Sequence, residues 1–225
     1  MLARKLTAAS ARAVAPWYLA GGAPVPVAAY QPIGASSLAA SYVNLVSPGT
    51  FDAAPGVAPT WASGTGWGFN GTTQFLNAGL ALSNIGVAVF IRFSGFALSD
   101  GKTIIGAFNS FAGNSISHVI QLNSGNVRSR NGTADPIGLA DNAPGLTSGV
   151  YGFSGLTPYR NGFAESALIT STAPTGTPLN IYIGALNLNG SAAQFTAANI
   201  QAIAIYPSTL TASQVAAVSA AMAAL

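Results

Sequence analysis

The stretch GVAVFIRF at residues 86–93 has the two-residue alternation of a β-strand, and it decides the fold class. One face of this strand is wholly apolar and consists of Val87, Val89, Ile91 and Phe93. The opposite face carries Ala88, Phe90 and Arg92. Because two packed sheets bury their inner faces against each other, the apolar face predicts the core of a β-sandwich. The second face is itself partly apolar, so we expect part of the outer surface to be covered as well.

Two later segments alternate in the same way. The segment LNIYIGAL at 179–186 sets Leu179, Ile181, Ile183 and Ala185 against Asn180, Tyr182 and Leu186. The segment NIQAIAIY at 199–206 sets Ile200, Ala202, Ala204 and Tyr206 against Gln201, Ile203 and Ile205. With the other short apolar segments they predict ten strands, at 66–69, 73–77, 86–94, 102–108, 116–122, 126–130, 149–157, 166–170, 179–186 and 198–206.

Asn-Gly pairs recur between these segments, at Asn70-Gly71, Asn131-Gly132, Asn161-Gly162 and Asn189-Gly190. Both central residues of a type I′ turn need a positive φ angle, which Asn and Gly tolerate best, so Asn-Gly is a strong hairpin signal. The four pairs therefore predict antiparallel pairing and an all-β domain.

The two ends of the chain differ from this pattern. At the C-terminal end, Thr211 and Gln214 have the spacing of a capping box, and an apolar stripe follows at Val215, Val218, Met222 and Leu225. We expect a helix over 211–225 that packs on the sandwich. Residues 1–20 form a short basic segment, for which we expect a helix over 2–14. Residues 21–65 are rich in Gly, Ala, Pro and Ser and predict an extended arm with little regular structure. The sequence thus predicts an arm at 1–60, docked on its own domain or on a neighbour, and a sandwich at 61–225.

The charge and cysteine counts exclude several classes of function. Only 6% of the 225 residues are charged, against about 25% in an ordinary soluble domain. Without cysteine there are no disulfides, zinc ribbons or thiol nucleophiles, and the single histidine, His118, cannot build a multi-histidine metal site. Five scattered carboxylates indicate no acid–base pair, so we expect no enzymatic activity. Eight Lys and Arg form no phosphate-tracking stripe, and no run of 18 apolar residues exists, so we expect neither a nucleic acid nor a membrane as partner.

The chain resembles the concanavalin A-like (LamG-like) jelly-roll domains of tailed-bacteriophage structural proteins. The segments that carry the resemblance are residues 29–61, GWGFNGTTQFLNAGL at 66–80, YRNG at 159–162, YIGALN at 182–187 and IQAIAIYPSTLTASQVAAVSAAM at 200–222. The resemblance implies a concanavalin A-like antiparallel jelly-roll sandwich with an extended N-terminal arm and one C-terminal α-helix. It says little about function, because this fold hosts many activities.

Related domains also indicate which sites to look for. Glucanases of this fold use closely spaced acidic residues on one strand, whereas Glu165 stands alone in GFAESALI. Lectins and LamG modules of this fold bind calcium through clustered Asp and Asn oxygens. Only Asp135 and Asp141, in NGTADPIGLADNAPG, are close enough in sequence to suggest such a site, and a polar turn-rich loop explains them equally well. We expect no cofactor.

Several other side chains are candidates for binding. Arg4, Lys5, Arg12, Trp17 and Tyr18 are candidates for binding a partner, with a solvated terminus as the alternative for the three cations. Trp17, Trp61 and Trp67 are either a platform for stacking sugars or packing residues. Arg128 and Arg130 share one face of a short strand, where they either bind an acidic partner or protect an edge strand with charge. His118 is expected to face the core.

Two functions are consistent with these features. A charge-poor surface favours permanent association, so the first hypothesis is a virion structural protein. It would be a capsid decoration or cement protein, bound through its arm to the major capsid protein or other virion proteins. The resemblance suggests a homo-oligomer, and specifically a trimer. The expected location is the capsid surface rather than the tail. The alternative is a carbohydrate-binding module on a phage fibre, spike or capsid that recognises host glycans.

Overall fold

The computed structural model describes residues 15–97, 101–111, 114–123, 126–133, 140–166, 168–169 and 177–225, without the side chains of 110–119, 121–126 and 133–144. In this part of the chain, two sheets face each other. The first has eight strands in the order β13-β12-β11-β6-β17-β4-β3, with β1 also paired to β17. Its strands are β1 Ala28–Tyr30, β3 Thr60–Ala62, β4 Gly66–Asn70, β6 Ala88–Ser94, β11 Gly149–Ser154, β12 Thr157–Arg160, β13 Phe163–Ala164 and β17 Ala197–Tyr206.

The second sheet has nine strands in the order β10-β9-β8-β7-β14-β5-β2, with β15 paired to both β7 and β16. Its strands are β2 Ala54–Val57, β5 Phe75–Ala81, β7 Lys102–Phe111, β8 Asn114–Asn123, β9 Asn126–Thr133, β10 Ala140–Pro144, β14 Asn180–Ile183, β15 Leu186–Leu188 and β16 Ser191–Ala193. Except for the parallel contact between β15 and β7, the named strand pairs are antiparallel. The predicted antiparallel sandwich is confirmed.

The core lies between the sheets, where the apolar faces predicted from alternation meet. Val89, Ile91 and Phe93 of β6 are buried there with Trp67 and Ile105. The outer face of the eight-stranded sheet is also covered, as expected. Its residues form a second buried cluster with the C-terminal helix: Ala88, Phe90, Val150, Ala202, Ala204, Tyr206, Val215, Val218 and Met222.

The C-terminal helix, α2, spans Ala212–Ala223, and the predicted capping box is present. Thr211 accepts a hydrogen bond from the Gln214 backbone N–H, and the Gln214 side chain accepts one from the Thr211 N–H. At the other end of the helix, the Arg92 guanidinium donates to the Met222 carbonyl at 3.1 Å. A cation at this end complements the helix dipole, so Arg92 contributes to holding α2 on the sheet.

The predicted alternation of 199–206 is wrong at the start of the segment. Ile200 was placed with Ala202, yet it is buried between the sheets with Ile203 and Ile205. The pairing of β17 with β6 shifts between Ile200 and Ala202. Such a β-bulge adds one residue to one strand, so side chains on either side of it change face.

Two of the four Asn-Gly pairs form hairpin turns. Asn161-Gly162 and Asn189-Gly190 have positive φ angles at both residues and join β12 to β13 and β15 to β16. The other two predictions are wrong. Asn70-Gly71 lies between strands of different sheets, where Asn70 Oδ1 accepts backbone N–H groups of Thr72 and Thr73. Asn131-Gly132 lies inside β9, where Asn131 is buried and its amide donates to two backbone carbonyls, those of Ile85 and Gly155.

The described part of residues 21–65 has more regular structure than predicted. It contains strands β1, β2 and β3 and a short helix, α1, at Leu38–Ser41. Strand β1 pairs with β17 and β2 pairs with β5, so the segment contributes to both sheets. The division into an arm at 1–60 and a sandwich at 61–225 stays a prediction. The helix expected over 2–14 lies outside the described residues.

The predicted strand at 166–170 is not found at its described positions, 166, 168 and 169. The strand of this region is β13, Phe163–Ala164, which completes the hairpin after Asn161-Gly162.

Candidate functional site

The outer face of the nine-stranded sheet is the candidate site. Side chains that alternate with buried core residues along a strand point to the outer face of the sheet. These outward positions are Phe75 and Asn77 on β5, Gly106 and Phe108 on β7, Arg128 and Arg130 on β9, and Tyr182 on β14. Apart from Gly106, these outward residues are half-buried. Helix α2 and the 3₁₀ segment Trp17–Gly22 cover the other sheet and leave this face uncovered in the described part of the chain.

Strand register places five residues in one row across this face: Arg130, Val119, Gly106, Tyr182 and Asn77. We call it the outer row. Adjacent strands lie about 4.8 Å apart, so Arg130 and Tyr182, three strands apart, are separated by about 14 Å at the backbone. Gly106, between them, adds no side chain to the floor of the row.

Three aromatic rings cluster at one end of the outer row, and we call them the aromatic cluster. Phe75 lies against Tyr182 with ring centroids 4.8 Å apart and against Phe195 with centroids 6.3 Å apart. Gly56 of the edge strand makes room for the cluster, because a Cβ atom there would overlap the Phe75 ring. Such half-buried rings offer a flat apolar surface beside the polar side chain of Asn77.

Two arginines lie toward the other end of the outer row. The Arg130 guanidinium lies over the Phe108 ring, 5.6 Å from its centroid. Burial, and then the nearby Arg128 charge, lower the pKa of Arg130. On the next strand, Asp141 is opposite Arg128 in the register. On the described strands, this half of the face thus has two arginines and one aspartate by backbone position, whereas the other half is aromatic.

Trp17 and Tyr18, predicted to bind a partner, lie in the 3₁₀ segment on their own sandwich. The Trp17 indole donates to Gln31 Oε1 at 2.9 Å, and the Tyr18 carbonyl accepts the Tyr206 hydroxyl at 2.8 Å. Their role toward a partner stays a prediction. Arg4, Lys5 and Arg12 lie outside the described residues.

The other tryptophans are not brought together into a platform. Trp67 is fully buried and donates to Ser41 Oγ at 2.7 Å, and Trp61 donates to the Pro32 carbonyl at 2.9 Å. Both indole N–H groups are thus used inside the chain, and both rings pack with the core. The interpretation of Trp61 and Trp67 as packing residues agrees with these contacts.

Asp135 lies outside the described residues, and Asp141 is described only by its backbone in β10. A calcium site at these two residues stays a prediction. Within the described residues no group of three His, Cys, Asp or Glu is placed to hold a metal ion, and no helix there is long and apolar enough to cross a membrane. The side chain of His118 is likewise undescribed. Glu165 is near Arg160, and burial raises the pKa of Glu165 while that arginine lowers it.

A cleft of about 330 Å³ beside the end of α2 is a weaker candidate. It is lined by Arg92, Asn161 and Gln201 among others. The Arg92 guanidinium donates to the Met222 carbonyl, and the Asn161 side-chain Oδ1 accepts a hydrogen bond from the Val150 N–H at 2.9 Å. Arg92 and Asn161 thus hold the helix and the hairpin in place, so their presence in the cleft is explained without a ligand.

The sequence predicted part of the candidate site. Alternation in 179–186 predicts that Tyr182 lies opposite the core. Alternation in 126–130 predicts that Arg128 and Arg130 share one face of their strand. The aromatic cluster was missed, since Phe75 and Phe195 come from distant segments. A signal was available in the parity of TTQFLNAGL, where Phe75 alternates with the buried Leu76.

Comparisons with known proteins agree with this fold. No protein-family model and no curated protein sequence matches the chain. Domain 4 of AbnA, an extracellular GH43 arabinanase from Geobacillus stearothermophilus solved with arabinotriose, is similar in structure, with a TM-score of 0.58 at 21% identity over 86% of this chain and 98% of that domain. A mutant sialidase of Trypanosoma rangeli has a TM-score of 0.57 at 15% identity over 89% of this chain.

The present chain spans about a third of the sialidase, 34% of its length. At these identities the likeness shows the fold alone. The chain therefore has a jelly-roll sandwich fold that it shares with domains of carbohydrate-active proteins.

Proposed function

We propose that this protein is a carbohydrate-binding domain and that the outer face of the nine-stranded sheet is its binding surface. The observation that carries the proposal is the aromatic cluster beside Asn77 on a sheet face that α2 leaves uncovered. Apolar ring faces with a few polar side chains at their edge suit a sugar, which has apolar C–H faces and hydroxyl edges.

The comparison with AbnA domain 4 supports the proposal. That domain was solved with arabinotriose, and it matches the present chain over nearly its whole length. The match therefore concerns a complete domain rather than a fragment of a catalytic one. The scarcity of paired acidic groups in this sequence favours binding over hydrolysis.

Isothermal titration with arabinotriose, xylotriose, cellotriose and lactose tests the proposal. We expect at least one to bind, and Tyr182→Ala to weaken that binding about tenfold or more, as for a central aromatic contact. Phe163→Ala is the matched control, because Phe163 is 78% exposed on the other sheet. The thermal transition of each variant shows whether it is folded. Equal binding by Tyr182→Ala and Phe163→Ala, or no binding at millimolar ligand, would count against the proposal.

A virion structural role is the second candidate, favoured by the surface. Only 6% of residues are charged, while Phe163, Val25 and Leu168 are 78%, 62% and 59% exposed. Apolar groups on a charge-poor surface favour permanent assembly. Under this candidate the chain decorates a phage capsid, contacts the major capsid protein and forms a homo-oligomer, with glycan binding as a compatible activity.

Copy number on purified particles tests the virion candidate. Density-gradient particles are analysed by mass spectrometry, with this chain quantified against the major coat protein. A copy number in the hundreds supports capsid decoration, and a much lower number supports a tail or fibre location. Absence of the chain from particles would remove the virion role and leave the carbohydrate-binding proposal standing.

A further inference from the structure

The arginine pair on β9 carries an inference that rests on the proposed carbohydrate-binding function and names the ligand class. Val127 and Ser129 are buried, so Arg128 and Arg130 both point to the outer face. They are two residues apart on one strand, which places their backbones about 7 Å from each other. Two like charges at this spacing repel, and an anion bound between or beside them would relieve the repulsion.

Arg130 is held in an environment that favours an anionic ligand. Its Nε is inaccessible to solvent and has no hydrogen-bond partner among the described atoms. The contact identified for its guanidinium is the Phe108 ring, which attracts a cation but accepts little hydrogen bonding. The residue as a whole is half-buried, so a ligand on the outer face still has access to it.

One acidic residue is paired by register with this arginine pair on the described strands. Asp141 faces Arg128 by register on one side, and Gln121 faces it on the other. Arg130 is opposite Val119, with no acidic residue across from it on that strand. On the described strands of this part of the face, counted by backbone position, two cations meet one carboxylate.

The outer row joins Arg130 to the aromatic cluster. A carboxylate matches the planar guanidinium geometrically. Two positions of the outer row, Val119 and Gly106, lie between Arg130 and Tyr182, and Gly106 has no side chain. We infer that the protein binds acidic oligosaccharides, with a sugar carboxylate at Arg130 and a further sugar ring against Tyr182. Arg128 contributes to the field that attracts the acid group.

The experiment compares acidic oligosaccharides with their neutral counterparts on the full chain. The probes are sialyllactose against lactose, and trigalacturonate against carboxyl-reduced trigalacturonate. We expect each acidic probe to bind roughly ten- to hundredfold more tightly, the range of a charge-assisted hydrogen-bonded pair. Raising NaCl from about 50 mM to about 500 mM should weaken the acidic probes and leave the neutral ones unchanged.

Two variants locate the effect. Arg130→Gln should remove the preference for acidic probes while neutral binding persists. Arg160→Gln makes the same charge change on the eight-stranded sheet and should leave the preference intact. The ligand and salt comparisons need no variant, so the inference stays testable if Arg130→Gln does not fold.

The outcomes separate this inference from the proposed function. Neutral probes that bind as tightly as acidic ones, or a preference that survives Arg130→Gln, would overturn the acidic-ligand inference and leave carbohydrate binding in place. Equal or tighter binding of sulfated lactose would overturn the assignment of the acid group as a carboxylate. If no oligosaccharide binds, both ideas fail together.

Discussion

Replacing Asn44 with alanine should lower the free energy of unfolding by about 3 kcal/mol. The Asn44 side chain is fully buried and uses its whole hydrogen-bonding capacity. Its oxygen accepts from the N–H groups of Ala29 and Val46, at 3.0 and 3.1 Å. Its amide donates to the carbonyls of Val27 and Thr50, at 3.0 and 2.9 Å. One side chain thus ties strand β1 to the loop at 44–52.

The magnitude follows from how many of these partners water can reach. Each hydrogen bond contributes about 1 kcal/mol, and a buried group left unpaired costs about 1–3 kcal/mol. Thr50 is exposed and Val46 is half-buried, so water replaces the amide there at small cost. Ala29 is fully buried, so its N–H stays unpaired in the variant. The lost bond to Ala29, about 1 kcal/mol, and its unpaired N–H, about 1–3 kcal/mol, sum to about 2–4 kcal/mol.

Urea unfolding followed by tryptophan fluorescence measures this change. With an m-value of about 2 kcal/mol/M, the midpoint should fall by about 1.5 M. Asn70→Ala is the matched control, because Asn70 also makes four side-chain hydrogen bonds but is exposed. It should cost less than about 1 kcal/mol, since water replaces the lost groups. If the two variants unfold at the same urea concentration, the burial argument is wrong.

Three further predictions concern the helix and its covering segment. Thr211→Ala should lower stability by about 1 kcal/mol in thermal unfolding, because it removes the N-cap of α2. Gly21→Ala should lower the free energy of unfolding more than Gly22→Ala. Both glycines have positive φ, but only at Gly21 would the new Cβ lie 2.6 Å from Ala217 Cβ. Equal losses of stability in urea unfolding would refute the contact. Burial raises the pKa of Tyr206 above its usual value of 10.0. Tyr206 should therefore leave stability unchanged below pH 10 and lower it by about 1.4 kcal/mol per pH unit above it, in addition to the losses from Tyr30 and Tyr42, whose pKa values burial also raises. Tyr206→Phe should reduce the total slope in urea unfolding at high pH by that amount.

Local periodicity explains which parts of the fold could be predicted from the sequence. Alternation in 86–93 depends only on neighbouring residues, so it identified both faces of β6 correctly. The capping box of α2 is equally local and was also correct. At 199–206 the same argument failed for Ile200, because a bulge depends on the partner strand.

Turn chemistry was informative only where the neighbouring strands also pair. At Asn161 and Asn189 the flanking strands form hairpins, and the positive φ angles match the sequence signal. At Asn131 the same dipeptide lies within a strand, where the buried amide instead bonds two backbone carbonyls. The dipeptide permits positive φ, but long-range pairing decides whether the chain reverses there.

The sequence by itself determined an antiparallel all-β sandwich with a C-terminal helix and a charge-poor surface, because composition and alternation are local properties. Only the tertiary structure decided which outer face stays uncovered and what meets on it. Phe75 and Tyr182 are about a hundred positions apart along the chain, and they meet because β14 pairs with β5 in one register. Register between distant strands depends on the packing of the whole core, and a shift of one residue would turn these rings to the opposite face.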